Sequence, residues 1–172
     1  MKALYIKAMD ALNRACLVIA GTCLVVITII IPWGVFTRYV LNSASSWPEP
    51  MAVLLMIVLS FLSAVVCYRE YLHIGVGILP ALLDERAKAV LGWFIEICML
   101  GTNLFMLWYG IKLVQAMWYQ SIAEFPTVSV GVSYLPVPIG GAITVLFVIE
   151  RLLTQKFFQD PSAEAISAVS TE

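Results

Sequence analysis

Apolar residues follow one another in long stretches that contain almost no charge. Three of these stretches cover about residues 15–37, 50–68 and 89–111, and only Glu96 interrupts the third. At ~1.5 Å of rise per residue, each stretch is long enough to cross a hydrocarbon core of ~30 Å. The pattern therefore predicts three membrane-spanning helices.

A fourth apolar stretch has a less distinct beginning. Residues 125–141 read FPTVSVGVSYLPVPIGG, which is typical of a loop, and the next residues, AITVLFVI, continue the apolar run. Proline is tolerated in the first turn of a helix, because the amide hydrogen that it lacks has no intrahelical partner there. With Pro136 and Pro138 near its beginning, a fourth spanning helix is predicted over about residues 132–150.

The connection at about residues 72–86 is too apolar for a solvated loop and too charged to span a membrane. On a helix, its Ile and Leu side chains share one face, and the charged residues from Asp84 onward remain in water. This pattern predicts a short amphipathic helix that lies flat on the membrane surface. Because Pro80 bends or breaks such a helix, a partly ordered connection into the third span is the alternative.

Composition supports a lipid environment for most of the chain. Hydrophobic residues make up 62% of the 172 residues and charged residues only 12%. A soluble domain of this length cannot hide so much apolar surface. The net charge of −1, without any cluster of basic residues, excludes binding to the phosphates of nucleic acids.

These features together predict an all-α integral membrane protein. One membrane domain covers residues 1–156 and contains four spanning helices and one interfacial helix. Residues 157–172 are small and polar, so they are predicted to form a flexible tail.

The distribution of Lys and Arg predicts the orientation. Eight of them lie in the N-terminal segment, the central connection and the C-terminal segment, whereas Arg38 and Lys112 lie on the other side. Lys and Arg accumulate in cytoplasmic loops, so both termini are predicted to be cytoplasmic. The first apolar stretch exceeds the ~7–15 residues of a signal-peptide core, so it is predicted to remain as a helix.

Motifs for enzymatic chemistry are absent from the sequence. No nucleophile motif, phosphate-binding loop or dinucleotide fingerprint occurs. The four cysteines lie in apolar segments without C-x-x-C spacing and are interpreted as small buried hydrophobes. His73, the only histidine, is interpreted as an interfacial polar residue at the end of the second helix rather than a group that titrates for function. The sequence therefore predicts no catalytic activity, metal or cofactor.

Glu96 is the only ionisable side chain well inside a predicted span. A charged side chain at the bilayer centre costs ~2.5–3.5 kcal/mol on insertion scales, and Glu96 lies nearer the membrane edge. The alternatives are a proton or sodium relay and a carboxylate that faces the bundle or a partner protein. The second is favoured because no cation lies inside the predicted spans. Asn103, on the same helix face, is predicted to hydrogen-bond across a helix interface.

Residues 42–54, NSASSWPEPMAVL, change abruptly from polar to apolar. Ser45 or Ser46 is predicted to cap the second helix, and Pro is acceptable in its first turn. Glu49 complements the positive end of the helix dipole, and Trp47 is predicted to lie at the level of the lipid headgroups.

Several short motifs occur in an order that resembles the small membrane subunit of tripartite ATP-independent periplasmic (TRAP) transporters. The motifs are RYVLN at 38–42, Trp47 with Glu49, FLSA at 61–64, YREYLHIGV at 68–76 and FPTVSVGVSYLPVPIGGAI at 125–143. The resemblance covers about residues 10–153. Pro50 and Gly77 depart from it, since the family often has acidic residues at these two positions.

The resemblance implies a non-catalytic subunit of the bacterial inner membrane that binds no substrate itself. In the family, a periplasmic protein captures an organic acid, often a C4-dicarboxylate or a sialic acid. A large membrane subunit then carries it across with sodium by an elevator motion. Overall likeness favours the sialic-acid branch.

The small subunit would then form a heterodimer with the large subunit, scaffold its static part and contact the binding protein transiently. Glu49 is predicted to pair with Arg38 or with the large subunit. The candidate partner or structural contacts are Arg38, Tyr39, Trp47, Glu49, Arg69, His73, Glu96 and Asn103.

Two other functions are compatible with a small polytopic chain. One is a stand-alone carrier or proton channel that uses Glu96. The other is a membrane anchor of an enzyme complex, although haem-binding anchors need histidine ligands inside the spans, which His73 does not supply.

Overall fold

A computed structural model of the chain describes residues 2–43, 45–70 and 84–154. Most of the predicted surface helix, His73 and the tail lie outside the described residues. Within the described ranges the chain forms five helices and two short strands. They are α1 Lys2–Tyr39, α2 Pro48–Arg69, α3 Glu85–Met117, β1 Ser121–Ile122, β2 Phe125–Ser129, α4 Val130–Tyr134 and α5 Pro136–Thr154.

Four helical stretches in the described part of the chain are long and apolar enough to cross a membrane, as predicted. They are Leu4–Tyr39, Pro48–Arg69, Arg86–Met117 and Val130–Thr154, the last of which combines α4 with α5. Many outward-facing side chains are large, apolar and exposed, such as Leu24, Val25 and Ile29 on α1. Exposure of this extent fits a surrounding of lipid and protein rather than water.

The spanning helices contact one another chiefly in the order α1, α2, α5, α3. The last of the helices that the structure describes therefore lies between the second and the third spanning helices. One end of the bundle, here called the termini end, holds the beginnings of α1 and α3 and the ends of α2 and α5. The opposite end, the hairpin end, holds β1, β2 and α4.

The helices extend beyond the charge-free stretches that indicate them in the sequence. α1 begins at Lys2 rather than near residue 15, and its 38 residues correspond to ~57 Å at the standard rise per residue. α3 covers Glu85–Met117, whereas the charge-free stretch indicates 89–111. The first charged residues beyond an apolar stretch indicate where the hydrocarbon core ends. The helix itself can continue into water when its side chains contact other helices there.

The segment before α5 contains more structure than the predicted loop. β1 and β2 pair in antiparallel fashion, with Ser121 opposite Ser129. The Ser129 hydroxyl oxygen accepts a hydrogen bond from the amide of Gly131 at 3.0 Å, which caps the short helix α4. A separate helix, α5, then begins at Pro136, whose missing amide hydrogen prevents a regular continuation of α4.

Two adjacent glycines of α5 face its two neighbours, and one of them permits an unusually close approach. A Cβ atom added to Gly140 would lie 3.5 Å from Cβ of Phe61 on α2. A Cβ atom added to Gly141 would lie 3.1 Å from the carbonyl oxygen of Asn103 on α3. Small residues at helix interfaces allow backbones to approach in membranes. Gly141 has this role toward α3, whereas the distance at Gly140 is that of an ordinary contact. Phe147 and Val148, further along α5, are fully buried.

Candidate functional site

The strongest concentration of buried polar groups lies at the termini end of the bundle. Arg69, the last residue of α2, donates hydrogen bonds to Asp10 of α1 at 2.7 Å and to Glu150 of α5 at 3.0 and 3.1 Å. Its guanidinium carbon also lies 5.1 Å from the ring centroid of Phe147. One arginine thus joins three helices, because its planar fork presents several donors at fixed angles.

A second buried cluster surrounds Glu96 on α3, which is only 1% exposed. Arg151 of α5 donates from Nη1 to Oε1 of Glu96 at 3.2 Å. The hydroxyl of Tyr68 donates to Oε2 of Glu96, and Arg151 also donates from Nη2 to the carbonyl oxygen of Tyr68. The guanidinium carbon of Arg151 lies 4.1 Å from the centroid of the Tyr68 ring. These contacts join α2, α3 and α5.

A third contact, between Asn13 of α1 and Glu70, adds to the same end. The Nδ2 atom of Asn13 donates to Oε1 of Glu70 at 3.0 Å. The polar network, defined as Asp10, Asn13, Tyr68, Arg69, Glu70, Glu96, Glu150 and Arg151, therefore connects all four spanning helices.

The contacts of the polar network indicate a structural role, because they hold its side chains in fixed positions. Glu96 has a cation on one oxygen and a phenol on the other, and Arg69 lies between two carboxylates. A buried charged group whose hydrogen-bonding capacity is filled by partners in fixed positions is itself held in one position. These contacts favour the interpretation in which Glu96 faces the bundle, and its partners are Arg151 and Tyr68.

Four polar side chains in the central turns of α1, α2 and α3 bond to the backbone of their own helix. Thr22, Thr28, Ser60 and Thr102 each donate to the carbonyl oxygen four residues earlier, at 2.8–2.9 Å. The described residues contain no group of three His, Cys, Asp or Glu side chains that could hold a metal ion. Within the described part of the helices, the membrane centre therefore offers no cluster of free polar groups to a solute.

Asn103 does not make the cross-helix hydrogen bond that the sequence predicts. Its side chain is buried, but its Nδ2 atom donates to the carbonyl oxygen of Met99 on the same helix, at 2.8 Å. The close approach of α5 through Gly141 meets the backbone of Asn103 rather than its amide. The residue marks the α3–α5 interface without bonding across it.

The corner where α1 passes into α2 lies at the hairpin end. Nη2 of Arg38 is 3.7 Å from Oε2 of Glu49, and the two side chains are 56% and 84% exposed. Tyr39 and Trp47, also predicted as contacts, are exposed beside them. The structure therefore contains one of the two predicted pairings of Glu49, and a role of this corner in binding a partner stays a prediction.

The beginning of α2 differs in detail from the predicted serine cap. Trp47, rather than Ser45 or Ser46, precedes the first helical residue, and its side chain makes no capping hydrogen bond. Pro48 occupies the first turn, where its lack of an amide hydrogen removes one of the donors that a cap would satisfy.

The sequence identified Arg69 and Glu96 as candidates but missed Asp10, Tyr68, Glu150 and Arg151 as their partners. The partners lie 28 to 81 positions apart in the chain, so no local motif joins them. One signal was available: Arg69, Glu96 and the pair Glu150–Arg151 all lie toward the termini end of their helices.

Comparison with known proteins shows the family to which this chain belongs. The model of the family described as tripartite ATP-independent periplasmic transporters, DctQ component, matches residues 13–156. A protein of Haemophilus influenzae assigned as a TRAP transporter small permease protein is 27% identical over 153 residues, which cover 86% of this chain and 91% of that protein. The sialic acid TRAP transporter small permease protein SiaQ of Vibrio cholerae is 23% identical over 125 residues, which cover 72% and 70%.

Proposed function

Because this chain belongs to the DctQ component family of TRAP transporters, as a small permease subunit in the bacterial inner membrane, we propose that it is the scaffold of a larger membrane subunit. In this proposal it carries no substrate itself. The observation that supports the proposal most directly is the state of its polar groups. The polar network joins the four described spanning helices at one end, and four polar side chains in the central turns bond to the backbone of their own helix.

Carriers commonly build their substrate sites from interrupted helices near the membrane centre. Here Gly140 and Gly141 lie inside the continuous helix α5 and serve helix packing. A chain with this architecture can stabilise a neighbour by offering it a rigid apolar surface. The exposed apolar side chains of the two outer helices, α1 and α3, supply such a surface.

The proposed function also includes the transported solute, its coupling to sodium, the binding protein and the orientation of the chain in the membrane. The large subunit moves an organic acid inward with sodium, and a periplasmic binding protein delivers it. The named substrate of the Vibrio cholerae relative is sialic acid, which supports an acidic sugar as the cargo. Both termini face the cytoplasm, so the hairpin end faces the periplasm, as the distribution of Lys and Arg predicts.

Copurification and transport measurements test the scaffold. We expect the tagged chain to copurify with a large membrane subunit in mild detergent and to be required for uptake in vesicles containing the binding protein. The isolated chain should produce no flux of ions or substrate. Flux through the isolated chain that Glu96→Gln abolishes would instead support the carrier or channel, and uptake that persists without the chain would contradict the scaffold.

The Arg38–Glu49 corner allows a more local prediction. Both side chains are largely exposed, so their ion pair contributes at most about 1 kcal/mol to folding. If the corner binds the large subunit or the binding protein, Glu49→Ala should lower uptake while the amount of chain in the membrane stays unchanged. Asp84→Ala, which removes an exposed acid at the termini end, is the matched control for assembly with the large subunit. Normal uptake and complex yield with Glu49→Ala would leave this residue only its place in the helix start.

A further inference from the structure

A groove opens at the hairpin end between the first turns of α2, the hairpin and α4. Its volume is about 460 Å³, within the range of ~300–1,000 Å³ that is typical of small-molecule sites. Its lining comes from separate parts of the chain: Ser46, Glu49, Pro50, Val53, Leu54, Ile57, Ile122, Glu124 and Ser133. We call this feature the hairpin groove.

The hairpin groove is polar at the end near Glu49 and apolar at the end near Ile57. Glu49 begins α2, and Val53 and Ile57 follow on the same face at intervals of one turn. Glu49 and Ile57 are about 12 Å apart along the helix axis, from the helical rise per residue. Because α2 enters the membrane here, the carboxylate lies toward the headgroups and the apolar residues lie toward the hydrocarbon core.

Charges around the mouth match a zwitterion. Glu124, in the turn between β1 and β2, supplies a second exposed carboxylate, and Ser46 and Ser133 supply hydroxyls. Arg38 borders the mouth, with its Nη2 atom 3.7 Å from Glu49. Two carboxylates attract an ammonium group, and the adjacent guanidinium is placed for a phosphate.

We propose that the hairpin groove binds one phospholipid with a primary amine headgroup, of the phosphatidylethanolamine type. An acyl chain lies along Val53, Leu54 and Ile57, the ammonium group faces Glu49 and Glu124, and the phosphate faces Arg38. The lipid would fill the space between α2 and the hairpin and hold β1 and β2 against the bundle.

A lysine side chain of a partner protein is the main competing occupant. Its ammonium group fits the carboxylates, but its four-carbon stem fills only part of a groove that extends for two helical turns. It also brings no anion to the guanidinium of Arg38 beyond Glu49, with which Arg38 already pairs at 3.7 Å. The acyl chain and phosphate of a phospholipid account for both features, which is why a lipid is favoured.

Lipid binding to the purified, delipidated full chain tests the proposal. Native mass spectrometry would compare phosphatidylethanolamine, phosphatidylcholine and phosphatidylglycerol added in equal amounts. We expect the ethanolamine lipid to bind most tightly, because its ammonium hydrogens can reach both carboxylates. Glu124→Gln should weaken it about two- to fivefold, the size expected for one partly exposed ion pair. Val53→Trp should exclude the lipid by filling the apolar floor.

Matched variants separate this inference from the scaffold function. Asp84→Asn removes an exposed acid at the termini end and should leave lipid preference unchanged. Copurification with the large subunit, measured on the same variants, reports the scaffold independently.

Three results would overturn the proposal. The first is equal binding of the three lipids, and the second is unchanged binding in Glu124→Gln. The third is loss of the lipid when the large subunit binds, which would assign the groove to a protein contact.

Discussion

Replacing Arg151 by Gln is expected to destabilise the chain by about 3–5 kcal/mol, the usual cost of removing one partner from a buried ion pair. The substitution leaves the carboxylate of Glu96 buried with Tyr68 as its remaining donor among these contacts. It also removes the guanidinium that stacks on the Tyr68 ring. Unfolding of the purified chain by a denaturing detergent, followed by Trp fluorescence, measures the loss.

A double-mutant cycle distinguishes the ion pair from general damage. Glu96→Gln neutralises the carboxylate and keeps an oxygen that accepts from Tyr68, so the double variant should recover part of the stability lost in Arg151→Gln. Arg38→Gln is the matched control, because it breaks an exposed ion pair and should cost no more than about 1 kcal/mol. Equal losses in Arg151→Gln and Arg38→Gln would show that the polar network does not hold the bundle together.

Substituting Gly141 by Ala is expected to separate α3 from α5 at a cost of about 1–3 kcal/mol. The added methyl group would lie 3.1 Å from the carbonyl oxygen of Asn103 and 3.3 Å from the amide nitrogen of Leu107. Both are backbone atoms, so neither can rotate away as a side chain does. The unfolding assay should show the loss, and a disulfide placed across α3 and α5 should form more slowly.

Two other glycines provide controls of the same chemical change. Gly140→Ala adds a methyl group at an ordinary contact distance of 3.5 Å from Phe61 and should be nearly neutral. Gly101→Ala, on the face of α3 with no atom within 4 Å, should be neutral or stabilising by up to about 1 kcal/mol, because Ala is the better helix former. If all three variants behave alike, close packing of α5 through Gly141 is not what joins the helices.

The number and type of elements are predictable from this sequence because lipid imposes a simple rule. Every backbone polar group must be satisfied within the membrane, so a long charge-free stretch indicates a helix. The same rule does not fix where α1 begins, since Asp10 and Met9 gain partners from α2 and its neighbours outside the charge-free stretch. Residues that leave the lipid remain helical for reasons that a hydropathy window does not contain.

The partners of Glu96 and the role of Gly140–Gly141 depend on tertiary contacts. Arg151 lies one position beyond the predicted end of the fourth span, so the spans taken alone contain no cation for Glu96. Gly and Pro in sequence are typical of loops, but here Gly141 lies inside α5 and packs against the backbone of α3. The Arg38–Glu49 pair was predictable because a short loop brings both residues to one corner.

The position of α5 between α2 and α3 has a consequence for biosynthesis. A ribosome makes α1 and α2 first, and these two helices can pair as soon as both are in the membrane. α3 is made next, but its principal neighbour α5 and the cation for Glu96 come from the last quarter of the chain. Until α5 has been inserted, the carboxylate of Glu96 lacks the cation that pairs with it in the folded bundle. Arrival of α5, which brings both the principal neighbour of α3 and the cation for Glu96, is therefore the step that commits the bundle to its final form.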